Sequence, residues 1–277
     1  MALAAKIPFR HPYAAGFPGL GSQPVPTDAD ALDYLDRMAA ADGASVEVGV
    51  ATAVDTFFSR IKADGLFDAI KASCILCGAR TITGALVPMA GAAPTPQGGW
   101  ASGDYSRTAG LTGDGAALYL DSNRADNASP DDDNHMAVYH SAGGDFGSLI
   151  GVRTDDGAAT FHGTHMFQNP TSQISRNRST GFVTHSAYDG TVSTFSGISR
   201  SSSASYLHRS QGTSDTVSQS SDVSARTINV RVFGRGHDLV QNLFNGSIAF
   251  YSIGTSLDLE ALDTAVTNLI TDIGNAL

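Results

Sequence analysis

The chain has 277 residues, 42% hydrophobic and 16% charged, with a net charge of −10. That hydrophobic share excludes a disordered chain, and the length suffices for a sizeable buried core. With 30 Ser, 23 Thr and 30 Gly against 2 Glu and 3 Lys, the chain lacks the residues that exposed helix faces draw on, so a mainly β body is expected.

Residues 1–26 carry Pro8, Pro12, Pro18, Pro24 and Pro26 among Gly and aromatic residues and read as an extended attachment arm. Phe9, Tyr13 and Phe17 fall on one side of it. It either lies on its own domain or docks onto a neighbouring subunit. Residues 27–78 read as a helical segment. Thr27-x-x-Asp30 has the form of a capping box, and Leu32, Leu35, Met38 and Ala39 follow at helical spacing up to Asp42-Gly43. Ser45 is placed to cap a second helix with the apolar stripe Val46, Val50, Ala53, Val54, Phe57, Phe58 and Ile61. Leu66, Phe67, Ile70 and Ile75 continue as a short third helix. Cys74 and Cys77, in apolar surroundings, read as two buried free thiols.

Residues 79–255 change character to short strand-like runs separated by Gly, Asp, Asn and Ser. They span 81–87, 116–120, 135–140, 148–152, 181–186, 191–196, 198–202, 204–209, 227–233 and 246–253. Runs of this length and spacing predict a two-sheet sandwich or jelly roll. Residues 256–277 return to helical period, with Asp258 as cap, and pack on the sandwich or on the helical segment. Met1–Pro8 is too short and too weakly apolar for a signal peptide, and no apolar run is long enough to span a membrane. A protein made and kept soluble in a cytoplasm, without membrane insertion, is expected, unless it leaves by lysis or as part of a particle. The acidic balance and the lack of a Lys/Arg stripe argue against a nucleic-acid partner.

Four runs resemble a family of phage-encoded structural proteins with a concanavalin-like (laminin-G-type) sandwich: Ile70–Arg80, Gly103–Gly115, Tyr119–Asn123 and Ala249–Leu259. The resemblance covers roughly residues 44–277. It implies a mainly β, concanavalin-like β-sandwich (jelly roll) flanked by N-terminal helices and a C-terminal helix. It also implies a virion component: a fibre, spike, decoration or receptor-binding subunit of a phage or gene transfer agent particle. Such sandwiches present a carbohydrate-binding surface to host capsule or lipopolysaccharide. Residues 1–26 would then meet other virion proteins, and a homo-oligomer is expected because weak sugar sites gain from multivalency.

Candidate chemistry is sparse. Asp131, Asp132 and Asp133 are hard oxygen ligands for a possible Ca2+, or a solvated turn; no other cofactor is expected. No G-x-S-x-G elbow or metalloprotease motif occurs, so no catalytic residue is assigned and the chain reads as a non-enzyme. Trp100, in a Gly-rich loop, is either a sugar platform or a cover for the sandwich end. Arg176, Asn177, Arg178, Tyr188, Asp189 and Arg209 are the other carbohydrate-binding candidates, Arg being suited to acidic sugars. The expected function is host adsorption through surface carbohydrate. The alternatives are a structural cement or connector subunit without a ligand, and a polysaccharide-degrading enzyme.

Overall fold

Asp28 starts the first helix, α1 (Ala29–Asp42): its carboxylate accepts from the amides of Asp30 and Ala31, so the cap is one residue later than the Thr27 expected. Gly43, at φ 65°, ends the helix in the left-handed conformation that Gly adopts without strain. The second helix, α2 (Val48–Ala63), begins after Glu47 with no side-chain cap, in place of the expected Ser45 cap. The Glu47 carboxylate instead pairs with Arg80 and Arg107, each at 2.7 Å.

These features belong to a computed structural model that describes residues 26–141, 146–155, 161–221, 227–236 and 240–277. The proposed arm residues Phe9, Tyr13 and Phe17 lie outside the described residues. After α2 come β1 (Ile70–Ile75), the short helix α3 (Ile82–Ala85), β2 (Pro88–Ala90), β3 (Thr95–Gln97), β4 (Tyr105–Ser106), β5 (Gly110–Thr112) and β6 (Tyr119–Ala125). The long strands follow: β7 (Asn134–Ser141), β8 (Gly147–Asp155), β9 (Phe161–Asn169) and β10 (Ser172–Ser179). Then come β11 (Val183–His185), β12 (Thr194–Arg200), β13 (Tyr206–Ser210), β14 (Thr213–Val217), β15 (Asn229–Val232), β16 (Arg235–Gly236), β17 (Val240–Gln241) and β18 (Ser247–Gly254). The last helix is α4 (Leu259–Ala276), capped by Asp258 as expected.

Among the described residues the strands form two sheets, antiparallel except where β16 runs parallel to β8. The first has the order β14-β13-β12-β7-β18-β1-β2, with β5 beside β18 and β4 beside β5; the second runs β11-β10-β9-β8-β15-β6-β3. One apolar core fills the space between the sheets, with Leu120, Val138, Ile150, Met166, Val232 and Tyr251. A second core lies between the first sheet and the helices, joining Leu35, Phe57 and Val266 to Ile75, Phe195 and Phe250. The protein is therefore a β-sandwich with helices laid on one sheet. That sheet is buried on both faces, which explains the near-continuous apolar run Ile248-Ala249-Phe250-Tyr251 in β18. The helix α4 packs on both α2 and β12.

Three expectations are corrected. The expected third helix is a single turn over Phe67–Ala69 followed by strand β1, which pairs with β18 inside the first sheet. The helical segment thus supplies a strand of the sandwich and is continuous with it. The strand expected over 81–87 is instead the helical turn α3, capped by the Thr81 hydroxyl on the Gly84 amide. The strand expected over 116–120 starts later, at Tyr119, because the Asp114 carboxylate accepts from the amides of Ala116, Ala117 and Leu118 and holds a turn there. Cys74 and Cys77 are free and buried, and burial pushes both thiols up to about 12.

Candidate functional site

The outer face of the second sheet carries a concavity of about 180 Å³ lined by Arg153, His165, Ile174, Arg176, Phe182 and Arg235. Strand register builds it. His165 on β9 lies between Gly151 of β8 and Arg176 of β10, so the three stand abreast. Side chains alternate along a strand, which puts Arg153 on the face of Gly151, and Ile174 on the face of Arg176. The interleaved residues Val152, Met166 and Ser175 point into the buried interior. Arg235 arrives from β16, alongside β8, where Gly236 meets Val152. Gly151 leaves open the space that His165 uses: a Cβ there would come within 2.3 Å of the His165 Cβ.

The floor is cationic and the rim aromatic. The Arg176 guanidinium lies 5.9 Å from the centroid of Phe182, a ring that is 58% exposed. The Arg235 guanidinium lies 5.3 Å from the centroid of Phe167, against which the exposed Phe146 packs edge-on at 4.8 Å. Nη1 of Arg235 is 3.1 Å from Nε2 of His165. A guanidinium only donates, so Nε2 accepts and the imidazole proton sits on Nδ1. That Nδ1 is buried and has no hydrogen-bond partner among the described residues. Burial, and then the charges of Arg235, Arg176 and Arg153, hold His165 well below the usual histidine range. The ring is neutral, and the charges of the three guanidiniums act on it. Such a site suits a planar anion held by charge-assisted hydrogen bonds, with an apolar ring face against Phe182.

Of the residues expected to bind sugar, Arg176 lines this concavity; the others do not. Asn177 and Arg178 are buried on β10: Arg178 forms an ion pair with Asp126 and donates to the Asp126 carbonyl at 2.7 Å, and the Asn177 carbonyl accepts from Arg200 at 2.7 Å. Tyr188 is buried, its hydroxyl donating to Gln168 at 2.7 Å and lying 3.0 Å from His140. Arg209 is buried against α4, where Nε donates to Asp263 at 2.8 Å. Trp100 covers the sandwich end, its ring edge-on to Phe233 and its N–H donating to the Tyr119 carbonyl at 3.4 Å. Asp189 is exposed, but its carboxylate is engaged by the amide and hydroxyl of Thr191 at 2.9 and 2.7 Å and closes a turn. These side chains hold the fold together, so they are corrected from ligand contacts to structural ones.

The possible Ca2+ site is corrected likewise. Asp131 faces Arg178, Asp132 accepts from the Ser221 hydroxyl, and Asp133 accepts from the Ser256 amide at 2.7 Å. Three carboxylates with three separate partners do not converge on an ion. Among the described residues, the group whose donor atoms do converge is His185, His208 and Asp215.

Arg153, His165, Phe182 and Arg235 were not legible as site residues. Their signal is weak: one Arg, His or Phe on each of four segments, joined only by sheet register. A shallower groove of about 500 Å³ separates α4 from the β12 and β13–β14 region, lined by Tyr139, Phe195, Gln211, Asp263, Thr267 and Asn268 among others.

No family model matches the chain, and no curated protein does. Solved structures are similar in fold. The binding domain of botulinum neurotoxin serotype D aligns with a TM-score of 0.50 at 12% identity, over 75% of this chain and 52% of that one. The carbohydrate-binding module CBM40 of the Ruminococcus gnavus IT-sialidase aligns at 0.38 and 16% identity, over 48% of this chain and 83% of that one. Domains LG4-5 of the mouse laminin alpha1 chain align at 0.34 and 15% identity, over 46% and 37%. At these identities the likeness carries the fold alone, the two packed antiparallel sheets of a β-sandwich that the strand order of this chain shows.

Proposed function

We propose that the protein is a carbohydrate-binding sandwich that takes an acidic sugar in the concavity of the second sheet, and that it serves on a phage-like particle as a spike or decoration subunit for host adsorption. The observation that carries the sugar reading is the convergence of Arg153, Arg176 and Arg235 on the neutral His165 beneath the exposed ring of Phe182. The guanidiniums match a carboxylate, and the aromatic ring offers a surface to the apolar face of a pyranose. Fold likeness assigns no ligand, and it is the chemistry of the concavity that supports the acidic-sugar reading. The particle reading rests on the sequence resemblance over residues 44–277, and several copies on one particle would strengthen weak individual sites.

A glycan array tests the sugar reading: acidic oligosaccharides such as sialyllactose or polyuronates bind above neutral lactose, and added salt weakens them. Phe182→Ala loses this binding, whereas Asn268→Ala in the groove beside α4 keeps it. An array on which neutral glycans bind as well as acidic ones contradicts the reading. Mass spectrometry of purified particles tests the second part, and particles that lack the protein contradict it.

A further inference from the structure

His185, at the end of β11, and His208, on β13, come from opposite sheets, yet their imidazoles stack with centroids 3.6 Å apart and planes 13° apart. Asp215 of β14 is the register partner of His208, and its carboxylate lies 3.5 Å from Nδ1 of His185. One donor atom from each residue lies within 4.8 Å of the other two. We infer that His185, His208 and Asp215 bind a divalent transition-metal ion of the zinc type, which staples the two sheets together at their β11/β14 edge.

The hydrogen bonds behind the two imidazoles set which nitrogen of each faces the other ligands. Nε2 of His208 is 2.6 Å from Oε1 of Gln173. Nε2 of Gln173 donates to Ser196 at 3.0 Å, which sets the amide orientation. An amide oxygen only accepts, so His208 carries its proton on Nε2 and turns the Nδ1 lone pair free. That Nδ1 is buried, with no hydrogen-bond partner among the described residues. Nε2 of His185 is 2.8 Å from the Ser175 hydroxyl, itself 2.9 Å from the Tyr206 hydroxyl, so the Nδ1 of His185 faces Asp215. Metal-bound histidines are held in this way, with the far nitrogen hydrogen-bonded and the near one left as a lone pair.

Two imidazoles and one carboxylate suit Zn2+, Co2+ or Ni2+, and are too rich in nitrogen for Ca2+ or Mg2+. Tetrahedral bonds of about 2.0 Å place ligand atoms about 3.3 Å apart. Closing to that spacing takes a tilt of the His185 ring about χ2, a soft torsion, on a short edge strand. The Asp215 side chain is 56% exposed, so it can swing in, and the fourth position opens to water.

The test uses the full chain, stripped with a chelator and titrated with Zn2+ and with Co2+. One ion binds per chain, Co2+ develops the intense visible absorption of a tetrahedral site, and saturating Zn2+ raises the unfolding midpoint by on the order of 5 °C. Asp215→Asn and His185→Gln, both at the sheet edge, weaken binding by about tenfold or more and remove the Co2+ absorption. Their metal-free circular dichroism stays that of the wild type. Undiminished binding in both variants would assign the ion to other surface histidines and overturn the inference, as would failure of the wild type to bind Zn2+ at micromolar concentration.

Discussion

The guanidinium of Arg178, on β10, forms a buried ion pair with the carboxylate of Asp126 in the connection between β6 and β7. Both side chains are almost wholly removed from water, and Arg178 holds its place with φ 51°, in the left-handed region. Truncating one member of such a pair leaves the other charge buried and uncompensated. Asp126→Ala is expected to cost about 3–5 kcal/mol in urea unfolding. A loss below about 1 kcal/mol would show that Arg178 relaxes to solvent and that the connection is not anchored by it.

Arg209 and Asp263 tie α4 to the first sheet, at 2.8 Å and with little exposure of either side chain. Asp263→Asn keeps the shape and removes the charge, and is expected to lower stability by about 1–3 kcal/mol. The exposed pair Arg37–Asp33 on α1 is the contrast. Asp33→Asn is expected to change stability by less than about 0.5 kcal/mol. Equal effects in the two variants would contradict the placement of α4 against β13.

The helices were legible where one face meets an apolar wall. Val50, Val54, Phe57 and Ile61 recur at helical period because only that side of α2 is buried. Strand β1 was not legible: Ile70–Ile75 lies between the helices and the second sheet, so it lacks the alternation that separates strand from helix. Strands β9 and β10 were missed for the opposite reason. Their interior residues include Thr164, Gln168, Gln173 and Ser175, polar groups satisfied by a buried hydrogen-bond network. The same strands carry His165 and Arg176, so the site was missed with them. Arg176 was singled out because Arg suits acidic sugars. Its neighbours Asn177 and Arg178 were selected with it, although they are buried in other contacts.

His135 sets a pH dependence. Its Nδ1 donates to the Thr255 carbonyl at 2.5 Å and its Nε2 lies 2.7 Å from the Ser252 hydroxyl. Burial pushes its pKa down to about 4, against the opposing pull of the Thr255 carbonyl. An unfolded histidine titrates near 6.5, so between about pH 6.5 and 4 the unfolded chain binds a proton that the folded chain refuses. The stabilisation is complete above about pH 6.5 and is lost as pH falls toward 4. This residue alone lowers stability by about 2 kcal/mol at pH 5 relative to pH 7.5. Urea midpoints across that range check it, and a flat profile, or one rising toward acid, would contradict the burial of a neutral ring.

Gly110 sits at φ +88° beside β18, where a Cβ would come within 2.2 Å of the Ile248 carbonyl oxygen. Both the conformation and the space exclude a side chain. Gly110→Ala is expected to cost about 2–4 kcal/mol in urea unfolding, from strain and from displacement of β5. A change within about 0.5 kcal/mol would mean that β5 does not pack against β18 as described.

Whether the concavity takes an acidic sugar is tested most directly by titrating one oligosaccharide in two forms, the acid and its carboxyl-reduced alcohol, into the wild type and into Arg176→Lys. The guanidinium of Arg176 faces the exposed Phe182 at the rim, and lysine keeps the charge while removing the bidentate fork. The predicted result is that the wild type binds the acid and loses at least about tenfold in affinity for the reduced form, and that Arg176→Lys, still folded by circular dichroism, loses most of that preference. Equal affinity of the wild type for the two forms, or a preference unchanged by Arg176→Lys, would contradict it.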